Sequence, residues 1–501
     1  MELSFKTSTV RYLQQTMHET VFQEETAETI VPDSFPDVGR VVDSFGTVLV
    51  RSKEVRTGGV AISGGINAGV LYVPEDGDGV RKLEVYIPFT TKVEAPDMTD
   101  QTQVMHTCQI KSMDCRMVNS RKLVLRANVA SQIDGYAPAE QEVFGLGGDE
   151  NLEVKCTTYP LVIPVECKEK AFTMTEEVEL PSGRQAMAEL YKYQPRLEVT
   201  ESKLVGDKAV FKGNLEVKLL YVDQAGEMVP WTFQIPFSQY LELDQEYEEE
   251  ELVVCLMLTG FELEPSASSD GRVLQLTANV LAQCMVMGKR NLEIVEDAYS
   301  VQETFLPQWV KYEPNSRIDH QVSHQTVRDT VSANASKIVD TTVYLDYPAQ
   351  TRDGDVVQMT APVNCSVLYV DQDGQLQQAT VRTQAKWETE LAPNCICRPT
   401  AQLEGDCYCA PTGDGLEVRC AVGFTADTYA QDGLRAICGG ELVPREDQGQ
   451  LPSVVICSVS PEQSFWSVAK SYHTTVEAIL RANDLTEEAR DEKQMLLIPM
   501  G

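Results

Sequence analysis

The amino-acid sequence predicts a mainly β protein, with three tandem β-sandwich-like repeats followed by a small βααβ module. Three observations carry this prediction. Similar segments recur at a nearly constant spacing, apolar and polar side chains alternate within them, and the C-terminal segment changes to helical spacing. Alternation is typical of half-buried strands, whereas apolar residues three and four apart indicate helices. A chain of 501 residues is also too long for a single core.

An internal repeat determines the predicted domain organisation. The tripeptide Leu-Tyr-Val occurs three times, each time followed by a polar turn and a second run of alternating residues. Its tyrosines, Tyr72, Tyr221 and Tyr369, are separated by 149 and 148 residues. A step of this size corresponds to one domain of ordinary length. We therefore expect three repeats and a terminal module, with the boundaries 1–152, 153–300, 301–449 and 450–501.

Each repeat is predicted to consist of paired strands. In the second copy, two alternating runs flank the polar turn formed by residues 223–226, which is a pattern typical of a β-hairpin. Several such runs in each copy favour a sandwich of two sheets. We also predict one short helix in each repeat, in the segments 36–45, 183–193 and 332–340.

The C-terminal module has a different pattern. Two apolar segments, residues 453–459 and 494–499, are predicted to be strands, and the sequence between them predicts two helices. Ser464 is expected to cap the first helix. Thr474 and Glu477 have the spacing of a capping box for the second helix.

The charge and the cysteines limit the possible functions. A formal net charge of −34 disfavours nucleic acid and anionic membranes as partners, since both are negatively charged. The first residues lack the apolar segment of a signal peptide, and the chain has no run of eighteen apolar residues. We therefore expect a cytoplasmic protein in which most of the 14 cysteines are reduced and behave as small apolar residues.

Two groups of residues are candidates for a chemical site. His320 and His324 have the spacing of a helical zinc motif, but repeat alignment places them on a strand, where they would be about 13 Å apart. Two pairs of alternate cysteines, 395/397 and 407/409, could meet across a hairpin, so structural, oxidative and metal-binding roles remain open. No catalytic motif is recognisable. We expect no enzyme activity, no cofactor and no metal.

The first repeat resembles the SPOCS domain, which occurs in sporulation and spore-coat proteins. The resemblance rests on the segment ETIVPDSFPDVGRVV, residues 28–42, followed by strands and the Leu-Tyr-Val hairpin. The second copy has the diverged segment ELPSGRQAMAEL, and the third is related mainly by its spacing.

The terminal module resembles a LysM domain. It has the segment EQSFWSVA, residues 462–469, then Asn483, and a final strand ending in Leu-Ile-Pro. LysM domains bind N-acetylglucosamine-containing glycans in a groove, which this resemblance places at residues 463–465 and 483–485. The Gly-Asp of the family is Glu462-Gln463 here, and residues 457–501 have a net charge of −3, so a protein ligand is also expected.

The resemblance implies a set of contact residues in this module. Trp466 is expected mainly in the module's core and Phe465 at the contact surface. The full set of residues expected to bind a partner or a glycan is Gln463, Ser464, Phe465, Trp466, Ile479, Asn483, Asp484 and Leu485.

Together, the SPOCS and LysM segments resemble clostridial spore-coat morphogenesis proteins made in the mother cell. The resemblance implies a non-enzymatic scaffold in the mother-cell cytoplasm, at the forespore surface and in the spore coat. Its LysM domain would dock to the coat-morphogenetic ATPase, and other coat proteins are further expected partners. The alternative is a peptidoglycan-binding protein of the spore cortex or cell wall.

Overall fold

The computed structural model describes residues 2–4, 6–77, 79–145, 152–313, 315–413, 415–445, 452–460, 463–486 and 494–500. Antiparallel sheets make up almost all of this part of the chain, and two short helices lie near its C-terminal end. The predicted mainly β fold class is confirmed. Neither helix in the described ranges is long and apolar enough to cross a lipid bilayer.

The first segment of the chain forms two three-stranded sheets. Its strands are β1 (Glu2–Ser4), β2 (Lys6–Ile30), β3 (Val38–Arg56), β4 (Gly59–Pro74), β5 (Arg81–Glu94), β6 (Gln103–Asn119) and β7 (Lys122–Gly145). One sheet has the order β2–β7–β6 and the other the order β3–β4–β5. The short β1 pairs elsewhere, with a strand close to the end of the third segment.

The second segment repeats this order. Its strands are β8 (Leu152–Glu179), β9 (Met187–Asp223), β10 (Met228–Tyr247), β11 (Glu251–Pro265) and β12 (Val273–Ser300). The sheet β8–β12–β11 corresponds to β2–β7–β6. The long β9 takes the place of both β3 and β4, because it turns back at Gly206, which has a φ of 60°. The Thr200 hydroxyl then donates to the Lys212 carbonyl across the turn (3.3 Å).

The third segment has the same plan with interrupted strands. They are β13 (Thr304–Tyr312), β14 (Arg317–Val331), β15 (Ala335–Leu345), β16 (Ala349–Asp353), β17 (Val356–Asp371), β18 (Leu376–Glu390), β19 (Cys395–Thr412), β20 (Gly415–Ala430) and β21 (Leu434–Val443). One sheet has the order β14–β20–β19. In the other, β17 pairs with β15, β16 and β18. Strand β21 lies between β13 and β1.

Each segment has its own apolar core, and a further cluster joins all three. The alternation seen in the sequence places one face of each sheet inward, so every segment buries a separate group of aliphatic and aromatic side chains. The shared cluster contains side chains from equivalent positions of the three repeats. These are Val42, Tyr191 and Val339, and also Leu71, Leu220 and Leu368. The three segments therefore pack around a common centre rather than forming an extended tandem array.

The predicted short helices are wrong. Residues 38–45, 187–193 and 335–340 are strand, preceded in the first two repeats by a tight turn. In the first repeat the Phe35 N–H donates to the Pro32 carbonyl (2.9 Å), and Arg121 pairs with Asp33 and Asp37 on either side. Short apolar runs have no unique period, and here pairing with the following strand decides their conformation.

The terminal module has strand β22 (Val454–Val459), helices α1 (Phe465–Tyr472) and α2 (Val476–Ala482), and strand β23 (Gln494–Pro499). The predicted βααβ order is confirmed, and Ser464 caps α1 by accepting from the Ser467 N–H (3.1 Å). The predicted cap of α2 is wrong by one residue. Thr475 accepts from the Ala478 N–H (3.0 Å), while Thr474 is buried.

Candidate binding site

The LysM-like module packs against the end of the second repeat. The Trp466 ring meets the Tyr299 ring edge-on, with centroids 4.9 Å apart and planes at 69°. Tyr299 lies in β12, and its hydroxyl donates to the Thr474 carbonyl between the two helices (2.8 Å). This aromatic contact is continuous with the module's own apolar core. The module therefore has a defined position, called here its seat, against the three β repeats, which together are called here the β body.

One carboxylate strengthens this seat. Asp297 accepts one hydrogen bond from the Trp466 indole N–H (2.8 Å) and another from the Lys470 ammonium (2.6 Å). Burial alone would raise the pKa of Asp297, but the hydrogen bonds from Lys470 and Trp466 outweigh burial and lower it. The charged carboxylate is thus the form that holds α1 against the second repeat.

Two predicted contact residues lie in the module's core. Phe465 is only 6% exposed and Ile479 is fully buried. The expectation that Phe465 faces a partner is therefore wrong, because the first turn of α1 directs it inward. Trp466 is half-buried and contacts the second repeat instead. A partner could reach neither Phe465 nor Ile479 without opening the module.

The loop after α2 is held by Asn483. Its side-chain amide donates to the Ile479 and Leu497 carbonyls (2.8 and 2.7 Å), and its oxygen accepts from the Leu497 N–H (2.8 Å). Asp484 follows with a φ of 52°, which makes the turn left-handed. Asn483 thus ties the helical pair to β23, and its polar atoms are already used within the module.

The remaining predicted contact residues lie closer to solvent. Gln463, Ser464 and Asp484 are exposed, and Leu485 is half-buried against the core. Glu462, the other half of the altered Glu-Gln pair, lies outside the described residues. The binding roles of these residues stay predictions.

A surface that the sequence reasoning missed lies on the module's sheet. Ile456 and Leu497 are directly opposite each other on β22 and β23, with Val454 and Met495 next to them. These four side chains, called here the sheet patch, are 63%, 43%, 50% and 65% exposed, in that order. Both strands are apolar on both faces, and this feature of the sequence could have indicated the exposed patch. A cluster of exposed apolar side chains on one small module is a candidate interaction surface.

The residues considered for chemistry do not converge. His320 and His324 lie in β14, and each pairs with its own carboxylate, Asp427 and Glu404 respectively (both 2.7 Å). The two cysteine pairs, 395/397 and 407/409, lie on the single strand β19, so they do not face each other across a hairpin. Within the described ranges, no three His, Cys, Asp or Glu side chains are grouped to hold a metal ion.

Comparison with known families supports the two predicted domain types. The family model described as SipL, SPOCS domain, matches residues 37–118 and 186–262, and the LysM domain model matches residues 457–499. No curated protein and no solved structure matches the chain. The fold and the matches define a protein with SPOCS domains and a C-terminal LysM domain. The chain is SipL-like in this combination, as its sequence predicted.

Proposed function

We propose that the chain is a non-enzymatic scaffold of bacterial endospore coat assembly, which docks to a coat-morphogenetic ATPase through its LysM module. The matched SPOCS and LysM segments support a role in sporulation. The observation that carries the docking role is the sheet patch on β22 and β23. The proposed location is the mother-cell cytoplasm, at the forespore surface and in the coat.

The sheet patch suits a protein partner better than a sugar chain. It consists of aliphatic side chains and a methionine, which contribute binding energy by excluding water. A sugar would instead need hydrogen bonds and an aromatic platform. Trp466 is the tryptophan available in this module, and its ring and its N–H are already engaged by Tyr299 and Asp297.

The β body would present the module in a fixed orientation. We propose that its three repeats end near residues 152, 300 and 449, and that they offer separate acidic surfaces to other coat proteins. The net charge of −34 disfavours close approach to anionic polymers but is compatible with basic protein surfaces.

Binding of the purified full-length chain to the coat ATPase tests the proposal. Ile456→Glu and Leu497→Glu place a charge in the sheet patch without entering the core, and each is expected to weaken binding at least tenfold. Val118→Glu is the matched control, because Val118 is a similarly exposed apolar residue in the first repeat (54%). Unchanged affinity in both patch variants would contradict the docking role.

The alternative is binding of peptidoglycan, which the LysM match favours. Exposed Gln463, Ser464 and Asp484 would then supply polar contacts to the glycan. Retention on insoluble peptidoglycan, competed by chitin oligomers and reduced by Gln463→Ala together with Asp484→Ala, would favour this function. Retention that persists in this double variant, or is lost in Ile456→Glu, would argue against it.

A further inference from the structure

Three cysteines from three strands meet in the third repeat. The Cys420 sulfur on β20 lies 2.9 Å from the Cys407 sulfur on β19. The Cys365 sulfur, on β17 of the facing sheet, lies 3.9 Å from the Cys407 sulfur. Cys407 is therefore adjacent to both other sulfurs in a cluster of three thiols contributed by both sheets. All three are free thiols in this structure.

A β-bulge brings Cys407 to this position. Glu404 pairs with Ala421 and Tyr408 with Arg419, so residues 405–407 lie opposite the single residue Cys420. Gly405 permits the bulge by adopting a φ of 70°. Without the extra residues the strand would continue in regular register, and Cys407 would not face Cys420.

The bulge also joins the third repeat to the second. Asp406 pairs with Lys218 (3.1 Å). Lys218 in turn donates to the Thr341 hydroxyl (2.8 Å), and that hydroxyl donates to the Cys407 carbonyl (3.5 Å). The conformation of residues 405–407 is therefore coupled to the contact between the two repeats.

In this cluster of three thiols, one can be reached from solvent and another is activated. Cys407 is half-buried, whereas Cys365 and Cys420 are buried. Hydrogen bonds from the Cys365 and Cys407 thiols lower the pKa of Cys420, so Cys420 is the favoured thiolate, beside the half-buried Cys407. A thiolate next to a second thiol is the arrangement from which a disulfide forms.

We propose that Cys407 and Cys420 form a reversible disulfide that locks the bulge and, through it, the junction between the second and third repeats. This inference does not depend on the proposed coat function. Cys420 is favoured over Cys365 because its sulfur lies 1.0 Å closer to Cys407 (2.9 against 3.9 Å). The oxidant that removes two electrons from the two sulfurs is a peroxide.

The chemistry balances with hydrogen peroxide alone. The Cys420 thiolate attacks one peroxide oxygen, and the O–O bond breaks to give a sulfenic acid on Cys420 and a hydroxide, which takes the proton of the Cys407 thiol. The Cys407 sulfur then attacks the sulfenic sulfur, the S–S bond forms, and a second hydroxide departs, which the proton released earlier by Cys420 neutralises. The hydroxides leave as water. Both sulfurs are oxidised and the peroxide is reduced.

Mass spectrometry of the full-length chain tests the proposal. The reduced protein is treated with hydrogen peroxide, its remaining thiols are alkylated, and it is digested with trypsin and Asp-N without reduction. Trypsin cuts after Arg419 and thus separates Cys407 from Cys420. We expect a Cys407–Cys420 linked peptide that dithiothreitol removes. The melting temperature should rise on oxidation and fall again on reduction.

Four variants make the test specific. The link and the rise in melting temperature should be lost in Cys407→Ser and in Cys420→Ser. Both should persist in Cys365→Ser and in Cys409→Ser, the latter being the matched control two residues along the same strand. A link from Cys407 to Cys365, overoxidation without a link, or a bound zinc ion that protects the three thiols would each overturn the proposal.

Discussion

Lys192 donates a hydrogen bond to Asp43 across 2.7 Å, although the two residues are 149 positions apart and occupy the same place in two successive repeats. The equivalent residue of the third repeat, Asp340, lies 2.8 Å from the same ammonium group. All three side chains are buried. Three copies of one fold thus meet at a common centre, and that centre is an ion cluster because the shared position is lysine in the second repeat and aspartate in the other two.

The charge balance of this cluster depends on Lys192. Burial alone would lower the pKa of Lys192, but the two carboxylates outweigh burial and raise it, so the ammonium stays charged. Burial raises the pKa of Asp43, whereas Lys192 and Lys218 together keep the pKa of Asp340 low despite its burial. Asp340 is therefore the more firmly ionised partner.

Replacing Lys192 by methionine should destabilise the assembly of the three repeats. The substitution leaves the buried Asp43 carboxylate without its cation and Asp340 with only the more distant Lys218, and removing one partner of a buried pair typically costs about 3–5 kcal/mol. Thermal unfolding should show a clearly lower melting temperature. Lys311→Met removes an exposed ion pair with Glu313 and is the control, expected to have almost no effect. Equal melting temperatures for the two variants would contradict the structural role of the cluster.

Replacing Trp466 by alanine should release the LysM module from the second repeat. The change removes the ring contact with Tyr299 and the indole hydrogen bond to Asp297. Hydrogen exchange should become faster in residues 297–301 and around Thr474, while the β body keeps its protection. Ser471→Ala, on the exposed side of α1, should leave exchange unchanged. Unaltered protection at residues 297–301 in Trp466→Ala would show that the seat does not depend on this contact.

The seat of the module should weaken in acid. The pKa of Asp297 is lower in the folded chain than in the unfolded chain, so its contribution is fully present above about pH 4, its unfolded value. The contribution is lost as the pH falls through the lowered folded value. Hydrogen exchange between pH 6 and pH 3 should therefore show release of the module at the acidic end. Asp297→Asn should show weaker packing throughout and a smaller pH dependence, and an equal pH dependence in both proteins would refute this role.

His106 should make the body as a whole sensitive to mild acid. It is 2% exposed, and neither ring nitrogen has a hydrogen-bond partner among the residues that the structure describes. Burial, followed by the nearby Lys53, lowers the pKa of His106 to about 4. The unfolded chain takes up this proton near pH 6.5, so stability should fall between pH 6.5 and 4 by about 1.4 kcal/mol per unit.

A histidine variant checks this prediction. His106→Leu removes the titrating group, and its melting temperature should depend less on pH than that of the natural chain over the same range. His324→Leu is the control, because His324 is exposed and pairs with Glu404 at the surface. If both variants kept the full acid sensitivity, another group would be responsible.

The repeated hairpins and the terminal module were predictable because both depend on local periodicity. The spacing of Tyr72, Tyr221 and Tyr369 placed three equivalent hairpins, and the structure has an equivalent strand in each place. The short helices were mispredicted because residues 38–45 have an apolar pattern compatible with either structure, and pairing with β4 selects the strand.

The candidate site was predicted less well, because side-chain direction is not a property of the sequence pattern alone. Adjacent residues of a helix point in different directions, and the alternative assignments of Phe465 and Trp466 differ by one position. The body settles the choice: Asp297 and Tyr299 engage Trp466, and Phe465 fills the module's core. The sheet patch was missed because strands that are apolar on both faces do not indicate which face is covered.

By itself the sequence determined the β fold class and the βααβ module, since these follow from periodicities of two and 3.6 residues within short stretches, and it determined the repeat step through the recurrence of similar segments. Only the tertiary structure decided which groups from different repeats meet: Asp43 with Lys192, Trp466 with Asp297, and Cys407 with Cys420. Such contacts join residues far apart in the chain, or depend on two extra residues in a strand. Their geometry is established only when separate sheets pack together and bury those side chains.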